Sequence, residues 1–187
     1  VGLNPILVHG GGPEINAMLK RVDVKSEFHN GLRITDDATM EIVQMVLAGK
    51  LNKNIAAEIG TLGGKAIGLC GKDAGLIVVK KKPPLPDGVD LGHVGDIVKV
   101  NTKLLNTLCT DEYIPVISSV GVDENGDSYN INADTAAAAI ATARRRDYSY
   151  DPDDPDGGRG GRSFGDAMSQ YRAESRREKK RVSADTV

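Results

Sequence analysis

Apolar positions along the first 143 residues follow two alternating rhythms. Short β-branched runs bounded by glycine or proline predict strands, and longer stretches with apolar residues three or four apart predict helices. Pro5-Ile6-Leu7-Val8-His9 reads as a short buried strand, Gly10-Gly11-Gly12 as a tight turn, and residues 13–19 as a helix with proline in its first turn. Thr35-Asp36-Asp37-Ala38 opens a second helix with Met40, Val43, Val46 and Leu47 on one face, ending near Gly49. Residues 51–59 predict another helix, broken by Gly63-Gly64. Strands follow at residues 66–69, 76–79, 93–100 and 114–120, with Pro83-Pro84-Leu85-Pro86 as a surface excursion and Thr102 capping a helix to residue 108. Asp123-Glu124-Asn125-Gly126 supplies a hairpin turn. An alanine-rich helix spans residues 133–143, capped by Asn132 or Asp134. This alternation predicts an α/β domain with a mainly parallel sheet.

The rhythm stops there, and charge takes over. Residues 144–187 carry 11 basic and 9 acidic side chains, leaving 13 basic and 17 acidic in residues 1–143. Arg144-Arg145-Arg146, the Asp-Pro run at residues 151–156 and Gly157-Gly158-Arg159-Gly160-Gly161-Arg162 offer few aliphatic groups to bury. Such a segment does not offset its ordering entropy, so residues 1–143 are read as the domain and 144–187 as a charged, disordered tail. One short Gly-Arg repeat in mixed charge, on a chain of net charge −2, gives no nucleic-acid module. No apolar run reaches the length of a membrane span. Cys70 and Cys109 stand far apart with no CxxC pair, which excludes a disulfide scaffold or a cysteine zinc site and makes reduced thiols the expectation. The chain opens at Val1 on residues already leading into a strand, which points to an incomplete or processed chain.

Three constellations carry candidate chemistry. In His9-Gly10-Gly11-Gly12-Pro13-Glu14, a strand-to-helix junction without side chains lets backbone N–H groups face a concavity at the positive end of a helix, where an anion fits. The bland alternative is a turn chosen for geometry alone, and His9 is read as a structural hydrogen-bonder. A dinucleotide fingerprint fails because Ile15 stands where its third glycine belongs, and a Walker loop fails around Gly64-Lys65-Ala66. In the second constellation, Asn30-Gly31-Leu32-Arg33-Ile34-Thr35-Asp36, a loop presents Arg33 either as a surface residue or as a two-pronged clamp for a carboxylate. In the third, Tyr129-Asn130-Ile131-Asn132-Ala133-Asp134-Thr135, Asn130 and Asn132 share a face, and Asp134 either caps the helix or holds lysines near a phosphate. Asp123-x-Asn125-Gly126-Asp127 lacks the spacing of a calcium loop and reads as a turn, so no metal ligand is assigned.

Taken in order, HGGGPEIN, FHNGLRITDDATMEIVQMVLAGKLNKNI, LGHVGDIVKV and YIPVISSVGVDENGDSYNINADTAAAAIA resemble the acetylglutamate kinases of the amino acid kinase family over residues 1–143. The resemblance implies a three-layer α/β/α sandwich and transfer of the γ-phosphoryl group of ATP, with Mg2+, to the side-chain carboxylate of N-acetyl-L-glutamate, a step of arginine biosynthesis. By the same resemblance Gly10, Gly11 and Gly12 meet the substrate and the migrating phosphoryl group. Arg33 holds the substrate α-carboxylate, Asn130 contacts substrate, and Asp134 organises the catalytic lysines. It also implies a homo-oligomer, a PII-type regulatory partner in photosynthetic lineages, and a cytoplasmic or plastid-stromal location. The family's Lys-x-Gly-Gly strand and its nucleotide-binding half have no counterpart here, so the expectation is a fragment inactive alone. Carbamate, aspartate or uridylate kinases, and a non-catalytic or oligomer-interfering fragment, are the alternatives.

Overall fold

The computed structural model describes residues 5–148, with side chains through residue 145. Strand β1 (Leu7–His9) leads through the glycine turn into helix α1 (Gly12–Arg21), followed by the hairpin β2 (Glu27–His29) and β3 (Leu32–Ile34). Helix α2 (Asp37–Gln44) passes without a break through a π-helical segment (Met45–Leu51) into α3 (Asn52–Thr61). Strands β4 (Ala66–Cys70), β5 (Ile77–Lys81) and β6 (Gly95–Val100) precede α4 (Thr102–Thr110). Then come β7 (Ile114–Ser118), β8 (Val120–Val122), β9 (Ser128–Asn130) and α5 (Ala133–Tyr148).

The centre is a parallel sheet in the order β1-β7-β4, with His9, Ser118 and Cys70 level at its carboxyl edge. Strand β7 is buried from Pro115 to Ser118, as the short β-branched run requires of a middle strand covered on both faces. Side chains leave successive positions on opposite faces, and the apolar contacts separate accordingly. Ile15, Leu19, Met40, Val43, Val46 and Leu47 of α1, α2 and the π segment pack with Cys70 and Val120. Leu105, Ala136 and Ile140 of α4 and α5 pack with Leu76, Ile77, Val79 and Ile117. This is the expected α/β/α layering.

A second sheet, β6-β5-β8-β9, pairs β5 with β6 and β8 with β9 antiparallel, and β5 with β8 parallel. The run at 114–120 is therefore two strands, because the chain leaves the parallel sheet at Ser119 to join the second one. The helix expected to end near Gly49 continues through it. Asn101 caps α4 in place of Thr102, accepting at Oδ1 from the Leu104 N–H. The Asp123 turn forms as expected, its carboxylate accepting from the N–H groups of Asn125 and Asp127. Helix α5 runs to Tyr148, five residues past the expected domain end, and the tail from residue 149 onward lies outside the described residues.

Candidate functional site

The glycine turn leaves β1 at the carboxyl edge of the parallel sheet, where α/β proteins place their ligands. Two helix N-termini meet there: α1 starts at Gly12, and an added Cβ on Gly10 would stand 3.3 Å from Cβ of Ala133, the first residue of α5. Their aligned peptide dipoles make the turn electropositive and suited to an anion. Packing explains two of the three glycines. A Cβ on Gly10 would crowd Ala133, and one on Gly11 would collide with Cδ1 of Leu51 and stand 3.0 Å from Cδ2 of Leu47. A Cβ on Gly12 would meet nothing within 4 Å, so the space in front of that residue is open to a ligand.

Arg33 lies on strand β3 rather than in a loop. Asn30 and Gly31 take φ of 48° and 79°, the left-handed pair of a tight hairpin, and Phe28 pairs with Arg33 across it. The Asn-Gly signal for this hairpin stands in the sequence, unread because neither flanking run is apolar enough to announce a strand. Arg33 is 6% exposed, with its guanidinium 4.5 Å from the Phe28 ring centroid. Nη1 donates to Ser26 Oγ and Nη2 to the Gly12 carbonyl at 3.4 Å. Ser26 Oγ in turn donates to Asn16 Oδ1 on α1 at 3.2 Å. Burial lowers the Arg33 pKa from the ordinary arginine value. A cation is thus held against the first carbonyl of the helix whose N-terminus faces the turn.

Asn130 reaches the same region through Thr35. Thr35 is fully buried and donates through Oγ1 to the Arg33 carbonyl at 3.0 Å, while Asn130 Nδ2 donates to Thr35 Oγ1 at 3.4 Å. The bridge Thr35–Gly92 and the bridge Val94–Asn130 lace β3 to β9 through residues 92–94. Asp134 is exposed in the first turn of α5, next to the Ala133 that crowds Gly10. The cap of α5 is Asn132, whose Oδ1 accepts from the Thr135 N–H at 2.9 Å. Capping therefore does not account for Asp134. Gly10, Gly11 and Gly12 form the turn, Arg33 is bonded to it, Asn130 joins Arg33 through Thr35, and Asp134 follows the residue that crowds Gly10.

Asn52, which the sequence reading passed over, lies directly beneath. It is fully buried, and its Nδ2 contacts Nε2 of His9 at 3.1 Å, the Leu69 carbonyl at 3.2 Å and the Val116 carbonyl at 2.8 Å. Three lysines are otherwise engaged: Lys53 donates to the Gly68 carbonyl, Lys65 pairs with Glu112, and Lys72 donates to Ser128 Oγ. Among the described residues no group of three or more His, Cys, Asp or Glu side chains converges to hold a metal ion. No described helix is long and apolar enough to cross a membrane.

The sequence profile of the amino acid kinase family matches residues 1–147. The chain belongs to that family. Acetylglutamate kinases of Caldicellulosiruptor saccharolyticus and Heliobacterium modesticaldum are 57% and 55% identical to it over 145 and 154 residues. Those alignments take in 76% and 79% of this chain and 50% and 52% of the relatives, so this amino acid kinase chain spans about half their length. Among solved structures, smu.665 of Streptococcus mutans superposes with a TM-score of 0.69 at 29% identity, over 77% of this chain and 57% of that one. N-acetylglutamate synthase of Neisseria gonorrhoeae, in complex with coenzyme A and L-arginine, shares the fold at 22% identity and a TM-score of 0.62, over 75% of this chain and 34% of its own.

Proposed function

We propose that this chain carries the acceptor-binding half of an acetylglutamate kinase site. The observation that supports it is the meeting of two helix N-termini at Gly10 with Arg33 bound to the Gly12 carbonyl, which collects positive charge where a dicarboxylate would lie. In this reading Arg33 donates two parallel hydrogen bonds to the α-carboxylate of N-acetyl-L-glutamate. The turn amides of Gly11 and Gly12 face the side-chain carboxylate, and Asn130 fixes the substrate from β9. That carboxylate attacks the γ-phosphorus of ATP, the bond to the β–γ bridging oxygen breaks, and an acyl phosphate and ADP result. The names of the relatives, whose length this chain spans by about half, support this choice of substrate over the other acceptors of the family.

Phosphoryl transfer depends on positioning and on cations around the migrating group. Among the described residues no three His, Cys, Asp or Glu side chains converge on a cation, so no step is assigned through magnesium. Lys53, Lys65 and Lys72 engage other groups, Arg33 is the described cation bonded to the turn, and in this reading Asp134 orients two lysines, one from the family's Lys-x-Gly-Gly strand and one from its nucleotide half. The 187-residue chain alone is accordingly expected to bind N-acetyl-L-glutamate in a calorimeter and to yield no acyl phosphate to hydroxylamine when MgATP is added. No binding would contradict the acceptor assignment. Turnover abolished by Asp134→Asn would contradict the division of labour.

A further inference from the structure

Asn52 stands five residues after Leu47, and both are buried to the last percent. A regular helix of 3.6 residues per turn would set two such positions about 140° apart. The π-helical segment between them, with its i→i+5 spacing, brings them back toward one side. Leu47 and Leu51 thereby pack against Gly11, and Asn52 reaches all three parallel strands, at His9 of β1, Leu69 of β4 and Val116 in the middle of β7.

The orientation of its amide follows from its neighbours. Two backbone carbonyls face the same amide atom, and a carbonyl can only accept, so that atom is the NH2. Oδ1 turns the other way, where it has no hydrogen-bond partner among the described residues, and a Cβ added to Gly68 would collide with it. The room left by Gly68 is what admits this orientation. The Gly10 carbonyl can only accept, so the neutral ring of His9 carries its proton on Nδ1, 3.0 Å away, and presents a bare Nε2 to the two amide hydrogens that Nδ2 shares among His9, Leu69 and Val116. The Gly10–Gly11 peptide is trans and planar, so fixing its carbonyl toward the ring sends the Gly11 N–H to the opposite side.

We infer that Asn52 is a positioning residue that fixes the tautomer of His9, and through it the direction of the Gly11 N–H in the anion-binding turn. The chain of contacts runs Gly68, Asn52, His9, Gly10, Gly11, and only its last member meets a ligand. The inference rests on the acceptor-site reading for what the turn binds, but the tautomer itself is a property of the ligand-free chain.

The test uses the 187-residue chain and two variants. Nitrogen-15 spectra of the ring, at a pH about two units above the ordinary imidazole value, should show His9 protonated on Nδ1 and bare on Nε2. In Asn52→Leu the Nε2 signal should move toward the protonated range. Gly68→Ala acts from β4 without touching the turn, and it should shift the same signal. Both variants should weaken N-acetyl-L-glutamate binding by about tenfold, the loss of one well-directed hydrogen bond. If one variant fails to fold, the other and the wild-type spectrum still decide. A wild-type ring protonated on Nε2, or folded variants with unchanged ring signals and affinity, would overturn the inference. A wild-type chain that binds no N-acetyl-L-glutamate would overturn the acceptor-site reading instead, and with it the stated purpose of the device.

Discussion

At the scale of single residues, adjacent glycines have different reasons to be glycine. Gly12 faces open space, whereas Gly11 is pressed against the ends of two leucines in the π-helical segment. Overpacking typically costs about 1–3 kcal/mol, with the smaller values where flexible side-chain ends can yield. Leu47 and Leu51 meet Gly11 through terminal methyl groups, so Gly11→Ala is expected to cost about 1 kcal/mol in urea denaturation. Gly12→Ala should leave the midpoint nearly unchanged; equal losses at both positions would contradict this packing account. The sequence displayed all three glycines, Arg33, Asn130 and Asp134, because each sits in a motif whose chemistry is local. It did not display Asn52. That side chain works through three strands, two of which join the chain 17 and 64 residues later.

At the scale of elements, periodicity located most helices and strands and failed where geometry departs from its two periods. Gly49 looked like a helix end because glycine is a poor helix former. Packing of Val46, Leu47 and Asn52 against the sheet holds the helix together through it as a π turn. Strand β2, with Glu27 and His29 flanking a half-exposed Phe28, carries too little apolar signal to read as a strand. Caps were more legible. Asp36 sits at the start of α2 as expected and accepts from the Thr39 N–H at 2.8 Å. Hydrogen bonds from Thr39, hydroxyl first and then backbone N–H, hold its carboxyl below the usual aspartate range. A depressed folded-state pKa stabilises the fold above the unfolded value and ceases to do so as pH falls through the folded one. Asp36→Ala should therefore cost about 1 kcal/mol at neutral pH, the usual worth of such a cap. The gap between wild type and variant should close in acid. A gap that persists below the folded value would show that the loss arises elsewhere.

At the scale of the whole molecule, two apolar clusters hold helices on both faces of a three-stranded parallel sheet, and the candidate site lies where that sheet's carboxyl edge meets two helix starts. Arg33 belongs to this assembly through Phe28, Ser26, Gly12 and, by its carbonyl, Thr35. Arg145, on the exposed surface of α5, lies outside both clusters and the site contacts. A charge-assisted hydrogen bond to a carboxylate is worth about 1.5–3 kcal/mol, roughly ten- to 150-fold in affinity. Calorimetric titration with N-acetyl-L-glutamate should accordingly show Arg33→Ala weakened by at least about tenfold relative to Arg145→Ala, with Arg145→Ala matching the wild-type chain. Equal affinities for the two variants would contradict the proposed acceptor site.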